Sequence, residues 1–271
     1  MAAEGPQAAA REIETPEQPM PEVCKYLLVG LVVCFTSFQE GVTGFGATVL
    51  ALPFVTLLLG LDVAVPALFM QAWILAGLIV LEARRNIVWH EYLHILLFVA
   101  LGLPFGIWMR HSINPYLLKW ILAGFMIAVG AQGLIQLMMG KPHSKMNRNK
   151  KLLASLFLPI GGVIHGAFAS GGPLVVIYAT RAIADKLLFR VTMCMMWFTI
   201  NTVMIAQWLL SKGQHAESFK VLTLCLPFTL VGLYMGNKAH YRIDEDAFRK
   251  VVYSVLIASG IVLICSLRGW L

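Results

Sequence analysis

Two glycine-rich patches carry most of the chemistry this chain can do. They read EGVTGFGAT (40–48) and HGAFASGGP (165–173), and each begins with an ionisable residue, Glu40 or His165. Both lie in an otherwise apolar setting, where a charged or titratable side chain is costly and marks a functional site by default. The first patch supplies Thr43, Gly44, Gly46 and Thr48, the second Ser170, Gly171 and Gly172. A helix starting at such a patch has free N–H groups and a partial positive charge at its end. Glycine lets that backbone come close to a ligand. Gly172-Pro173 reads as a helix start, with Ser170 or Gly172 as its expected cap and Thr43 or Gly44 as the cap in the first patch. Two such starts aimed at one pocket make an anion site. The competing reading is a pair of small-residue surfaces for helix packing.

A fixed carboxylate would repel an anion. Glu40 and His165 are therefore the expected proton-coupling pair, set against a hydrogen-bonded structural Glu and a neutral packed His. Gln71 and Asn201 are candidate neutral hydrogen-bond partners for the same pocket, or else interhelical bonds unrelated to substrate.

A second motif points to another class. His90-Glu-Tyr-Leu-His94 matches H-E-x-x-H, in which two His on one helix face hold zinc and the Glu acts as general base. Membrane metallohydrolases carry this pattern near the start of a span, so His90 and His94 form the alternative, metal-binding reading. Against it, the motif sits at an expected membrane boundary, and the acidic candidates for a third ligand fall in expected loops. The main reading requires no metal and no cofactor, and the protein is not expected to be an enzyme.

The elements that must hold these residues follow from composition. Of the 271 residues 59% are hydrophobic and 13% charged, with a mean hydropathy of +0.76. A water-soluble domain could not hide so much apolar surface. Apolar runs at 26–38, 47–61, 63–81, 92–109, 117–139, 152–164, 173–180, 191–210, 219–236 and 248–267 predict a polytopic all-α membrane protein, with the lipid bilayer as its solvent. The net charge of +7 does not imply nucleic acid, since in a membrane protein the position of the charge matters more than its sum. Cys24, Cys34, Cys194, Cys225 and Cys265 are scattered and read as free thiols. Residues 1–24, with five Glu and four Pro, are expected to form a disordered acidic tail.

The chain repeats itself. Glu40-Gly41 aligns with His165-Gly166, Gly106-Ile-Trp-Met with Gly232-Leu-Tyr-Met, and Gly130 with Gly260, at offsets of 125, 126 and 130 residues. The expected organisation is a first transmembrane repeat at 25–139, a basic linker at 140–151 and a second repeat at 152–271. Runs 26–38 and 152–164 each reach only about 20 Å at 1.5 Å per residue. Each is thus expected to enter the membrane, break at its glycine patch and return, giving each half a broken hairpin plus three spans. Hairpins put the loops at 82–90, 140–151, 181–190 and 237–250, with 14 of the 21 Lys and Arg, on one face. That face is expected to be cytoplasmic, with the halves inverted in a plasma membrane, or the inner membrane of a Gram-negative cell. Trp89, Trp108, Trp120, Trp208 and Trp270 fall near segment ends, as an interfacial belt would.

The glycine patch opening each half, GVTGFGA (41–47) and GAFASGGP (166–173), the basic central loop and the two-repeat layout resemble the TauE/SafE family of sulfite and organosulfonate exporters. The resemblance spans about residues 26–267. It implies a permease for a small anion: sulfite, an organosulfonate or a related organic anion.

Overall fold

The computed structural model describes residues 21–139, 154–183, 185–211 and 215–240, with isolated positions from 242 to 268. The expected tail up to residue 20, the basic linker 140–151 and nearly half of the last apolar run lie outside them. Nine α-helices with clear bounds follow in order among the described residues. They are α1 (Glu22–Thr43), α2 (Ala47–Leu59), α3 (Leu61–Ala83), α4 (Trp89–Ser112), α5 (Pro115–Met138), α6 (Phe157–Phe168), α7 (Gly172–Ala182), α8 (Lys186–Leu210) and α9 (Ala216–Ala239). Six of the described helices are long and apolar enough to cross a membrane. The protein is a multi-pass all-α membrane protein. Its outer face agrees: Leu97, Leu101 and Phe105 on α4 and Val231, Tyr234 and Met235 on α9 are exposed, as side chains facing lipid would be.

The first broken element differs from expectation. The helix does not stop near residue 38. α1 runs 22 residues, or about 33 Å, and Glu22, Val23 and Cys24 of the expected tail form its first turn. The polar residues that made 39–43 look like a break are buried in protein instead: Gln39, Glu40 and Thr43 are all under 9% exposed. A single interior glycine, Gly41, costs a helix only about 1 kcal/mol. The break falls at 44–46, where Gly44 and Gly46 adopt φ of 81° and 97°, reachable without strain only by glycine. In the second half α6 is short as expected, 12 residues.

Packing fixes the direction of each hairpin. α1 and α9 lie side by side and run the same way. Near their starts Lys220 Nζ donates to Tyr26 OH at 2.9 Å, and at their ends His240 Nδ1 meets the Val42 carbonyl at 2.7 Å. α4 and α6 are paired in the same sense, from His94 against Ser155 at 3.0 Å to Gly106 against Val163 and Ala167. α3 and α8 cross antiparallel between them, joined by Trp73 stacked on Phe198 and by Val88 N donating to Thr192 Oγ1 at 3.0 Å. The α1–α2 hairpin therefore enters from the end of the bundle where α9 begins. The α6–α7 hairpin enters from the end where α4 and α8 begin.

Glycine seams permit the close pairs. A Cβ at Gly232 would fall on the Cys34 carbonyl, and one at Gly236 on Phe38 and Gly41. A Cβ at Gly162 would fall on the Val99 carbonyl, and one at Gly106 on that of Val163. These are backbone-to-backbone approaches of the kind small residues allow between membrane helices. Some of the aligned glycines are thus packing residues: Gly41 and Gly166 both sit in these seams, as do Gly106 and Gly232.

The described parts of the basic loops converge at one end. Lys186 Nζ donates to the His240 carbonyl at 2.9 Å, and Asn237 Nδ2 to Glu82 at 3.1 Å. Arg190, counted among the loop cations, is instead inside α8 and only 6% exposed. Trp89 and Trp108 are exposed at the ends of α4 as a belt requires, but Trp208 is buried against Phe69 and His215. Trp270 lies outside the described residues.

Candidate functional site

The two hairpin turns are built alike. In the first, Gly44 N donates to the Glu40 carbonyl at 2.7 Å and closes α1. Gln39 Nε2 then holds the turn, donating to the Phe45 carbonyl at 2.8 Å and to Thr43 Oγ1 at 3.0 Å. Thr43 is spent on the turn, and Gly44 terminates α1. The cap of α2 is Gly46, and the side chain that serves α2 is Glu40, whose Oε2 accepts from Ala47 N at 3.0 Å. In the second turn Ala169 N donates to the His165 carbonyl at 2.7 Å. Ala169 has φ 54°, the left-handed conformation of Gly44 at the repeat offset of 125. Ser170 Oγ donates back to the Phe168 carbonyl at 2.9 Å rather than capping α7. The cap is Gly171, and Gly172 opens α7 with Pro173 beside it.

Where the turns meet there is a small cavity of about 20 Å³, about enough for one water. It is lined by Glu40, Gly46, Thr48 and Val49 of the first hairpin and by His165, Ala169 and Gly172 of the second, with Ala72 of α3 and Trp197 and Asn201 of α8. The first turns of α2 and α7 thus face one space, and the first N–H groups of a helix have no partner within it. His165 Nε2 meets Asn201 Oδ1 at 3.0 Å, and its ring stacks on Trp197 at 5.2 Å and 20°. An oxygen acceptor keeps a proton on Nε2. Nδ1 is then bare in the neutral ring and a second donor in the charged one. His165 Nδ1 and Trp197 Nε1 are buried without a hydrogen-bond partner, which is unusual enough to need a reason. An anion in the cavity would supply one, accepting from the indole N–H and from a protonated imidazole.

Of the residues read from sequence, the structure brings Glu40, Gly46, Thr48, His165, Gly172 and Asn201 to the cavity. Thr43, Gly44, Ser170 and Gly171 shape the turns behind it. Gln71 is directed elsewhere and bonds Thr229 of α9, an interhelical contact. Trp197, Val49, Ala72 and Ala169 were missed. Trp197 had a readable signal, since it lies four residues before Asn201 and so on the same helix face. Ala72 and Val49 had none, being ordinary apolar residues.

The H-E-x-x-H segment is used otherwise. Glu91 accepts from Tyr178 OH at 2.7 Å, His94 stacks on Tyr178 and meets Ser155, and the His90 side chain is 83% exposed. Among the described residues no three of His, Cys, Asp and Glu lie close enough to hold a metal ion.

Membrane-length helices packed around two opposed hairpins, with a small cavity where the hairpin turns meet, define a polytopic membrane protein. Over residues 27–263 the chain matches the sulfite exporter TauE/SafE family, and it belongs to that family, whose members are transporters and not enzymes. It is also 25% identical over 184 residues, 66% of this chain and 73% of the other, to the probable inner membrane transporter protein TsaS of Comamonas testosteroni. No solved structure is similar to it.

Proposed function

We propose that this membrane transporter carries a small oxyanion, sulfite or an organosulfonate or a related organic anion, through the cavity between the two hairpins. The observation that carries this reading is that two helix starts and two residues with an unpartnered ring nitrogen, His165 and Trp197, line one small cavity. Such a site supplies N–H donors from opposite sides and so favours an anion over a cation. A cavity of about 20 Å³ is too small for sulfite, so loading requires the hairpins to part. Opposed hairpins that rock in turn toward each face would give alternating access, and their opposite directions support the reading of two inverted halves. Glu40 and His165 face the cavity from equivalent places. Protonation of either lowers the negative charge or raises the positive charge met by the substrate, which would couple its movement to protons. The end of the bundle gathering 84–88, Ile183, Asp185 and His240 is the cytoplasmic one in this scheme, in a plasma or bacterial inner membrane.

The test is flux into proteoliposomes holding the purified protein, with sulfite, an alkylsulfonate and a carboxylate offered in turn, with and without a pH gradient. Saturable sulfite or sulfonate flux, steeper with the gradient, is expected. Absence of flux for all three anions would overturn the reading.

A further inference from the structure

Arg190 has no role in the scheme above, and its setting is costly. It is 94% buried by its 6% exposure, and among the described residues no carboxylate lies within 4 Å of its guanidinium. Nη2 donates to Asn237 Oδ1, while Nε is buried with no partner. A buried guanidinium held by one neutral amide is expensive unless a counter-charge reaches it.

Its position says where that charge would come from. Arg190, Cys194, Trp197 and Asn201 follow each other at intervals of four, three and four, so they share one face of α8. Trp197 and Asn201 line the cavity. The same stripe then leads through Cys194 to Arg190, about 10 Å along the axis from Trp197, toward the end of the bundle where α8 begins. Between lies the first hairpin turn. A Cβ on Gly44 would strike the Arg190 backbone and Cγ, and Cys194 Sγ reaches the Gly44 carbonyl at 3.7 Å. The turn at Gly44 thus packs directly against the cation, beside Cys194, on the way to the cavity.

We propose that Arg190 is a second anion-binding station, reached when the turn at Gly44 shifts, where a small oxyanion rests between the central cavity and the membrane face at which α8 begins. The unsatisfied Nε and the adjacent Nη form a planar fork that matches two oxygens of a sulfite, sulfonate or carboxylate. Asn237, tied to Glu82 at 3.1 Å, holds the guanidinium through one hydrogen of Nη2. The proposal rests on the anion-transport reading above.

The experiment compares sulfite uptake by proteoliposomes of the wild type, Arg190→Gln, Arg190→Lys and Asn237→Ala, with thermal melting of each in detergent. Arg190→Gln should raise the KM for sulfite about tenfold, the usual scale for losing one charge-assisted pair. Arg190→Lys should recover part of that loss, since it keeps the charge and loses the fork. Asn237→Ala, which leaves the cation in place, should raise KM far less. Unchanged KM in Arg190→Gln overturns the proposal. So do equal effects of Arg190→Gln and Asn237→Ala, which would make the pair a structural joint between α8 and α9. If Arg190→Gln fails to fold, the comparison of Arg190→Lys with Asn237→Ala decides by the same criterion. A wild type that moves no anion instead overturns the transport reading itself.

Discussion

Glu40 has two jobs that can be separated. It caps α2 through Ala47 N, and it faces the cavity. Gln keeps an oxygen to accept from Ala47 and removes the charge and its proton. Glu40→Gln is therefore expected to fold and to abolish transport or leave it unresponsive to a pH gradient. Normal gradient-dependent sulfite flux in this variant would show that Glu40 only holds the bend. Ala169 makes a different point. It is the one non-glycine residue with positive φ among those described, at the place the first hairpin fills with Gly44. A left-handed alanine costs roughly 1–2 kcal/mol, so Ala169→Gly should raise stability by up to about 1 kcal/mol after the greater freedom of glycine in the unfolded chain is counted. The shift would be read from thermal melting in detergent. A drop would mean that the alanine methyl packs favourably enough to outweigh its backbone strain.

The helix pairs are where sequence reading both succeeded and failed. Period, length and apolar content placed most of the spans, because a helix in lipid must hide its whole backbone within itself. The same reasoning misplaced the end of the first helix. The apolar run ends at 38, but the helix continues through Gln39, Glu40 and Thr43, because a polar side chain breaks nothing if a neighbouring helix or turn can bond it. Nor could it tell a glycine that turns the chain, such as Gly44, from one that seats a neighbour, such as Gly41 or Gly166, because composition is identical and only the partner differs. Gly162 tests the seating role. Its missing Cβ is replaced by the Val99 carbonyl, which belongs to backbone and cannot move aside. Gly162→Val should destabilise α4–α6 pairing by about 1–3 kcal/mol or more, the range for overpacking, seen as a lower melting temperature and less folded protein. Full stability would mean that the two helices can slide apart without loss.

Among the described residues, a pair of opposed hairpins is held by two parallel helix pairs and a central crossing pair, with α5 beside them. The glycine patches, the ionisable residue at the head of each and the repeat offset were legible in the sequence, because such residues stand out in an apolar background. The walls contributed by Val49, Ala72 and Trp197 were not, because folding alone brings them there. The central claim is that substrate occupies the space between the two turns. Gly172 allows the most direct test. A Cβ there would meet Trp197, Phe45 and Val49 only at 3.7 to 4.0 Å, so a first carbon is tolerated and a longer side chain grows toward the cavity. The measurement is sulfite uptake by proteoliposomes of Gly172→Leu beside Gly172→Ala and wild type. Uptake lost in Gly172→Leu and kept in Gly172→Ala, with all three proteins melting alike, is the predicted result. Wild-type uptake in a folded Gly172→Leu protein would place the substrate route elsewhere.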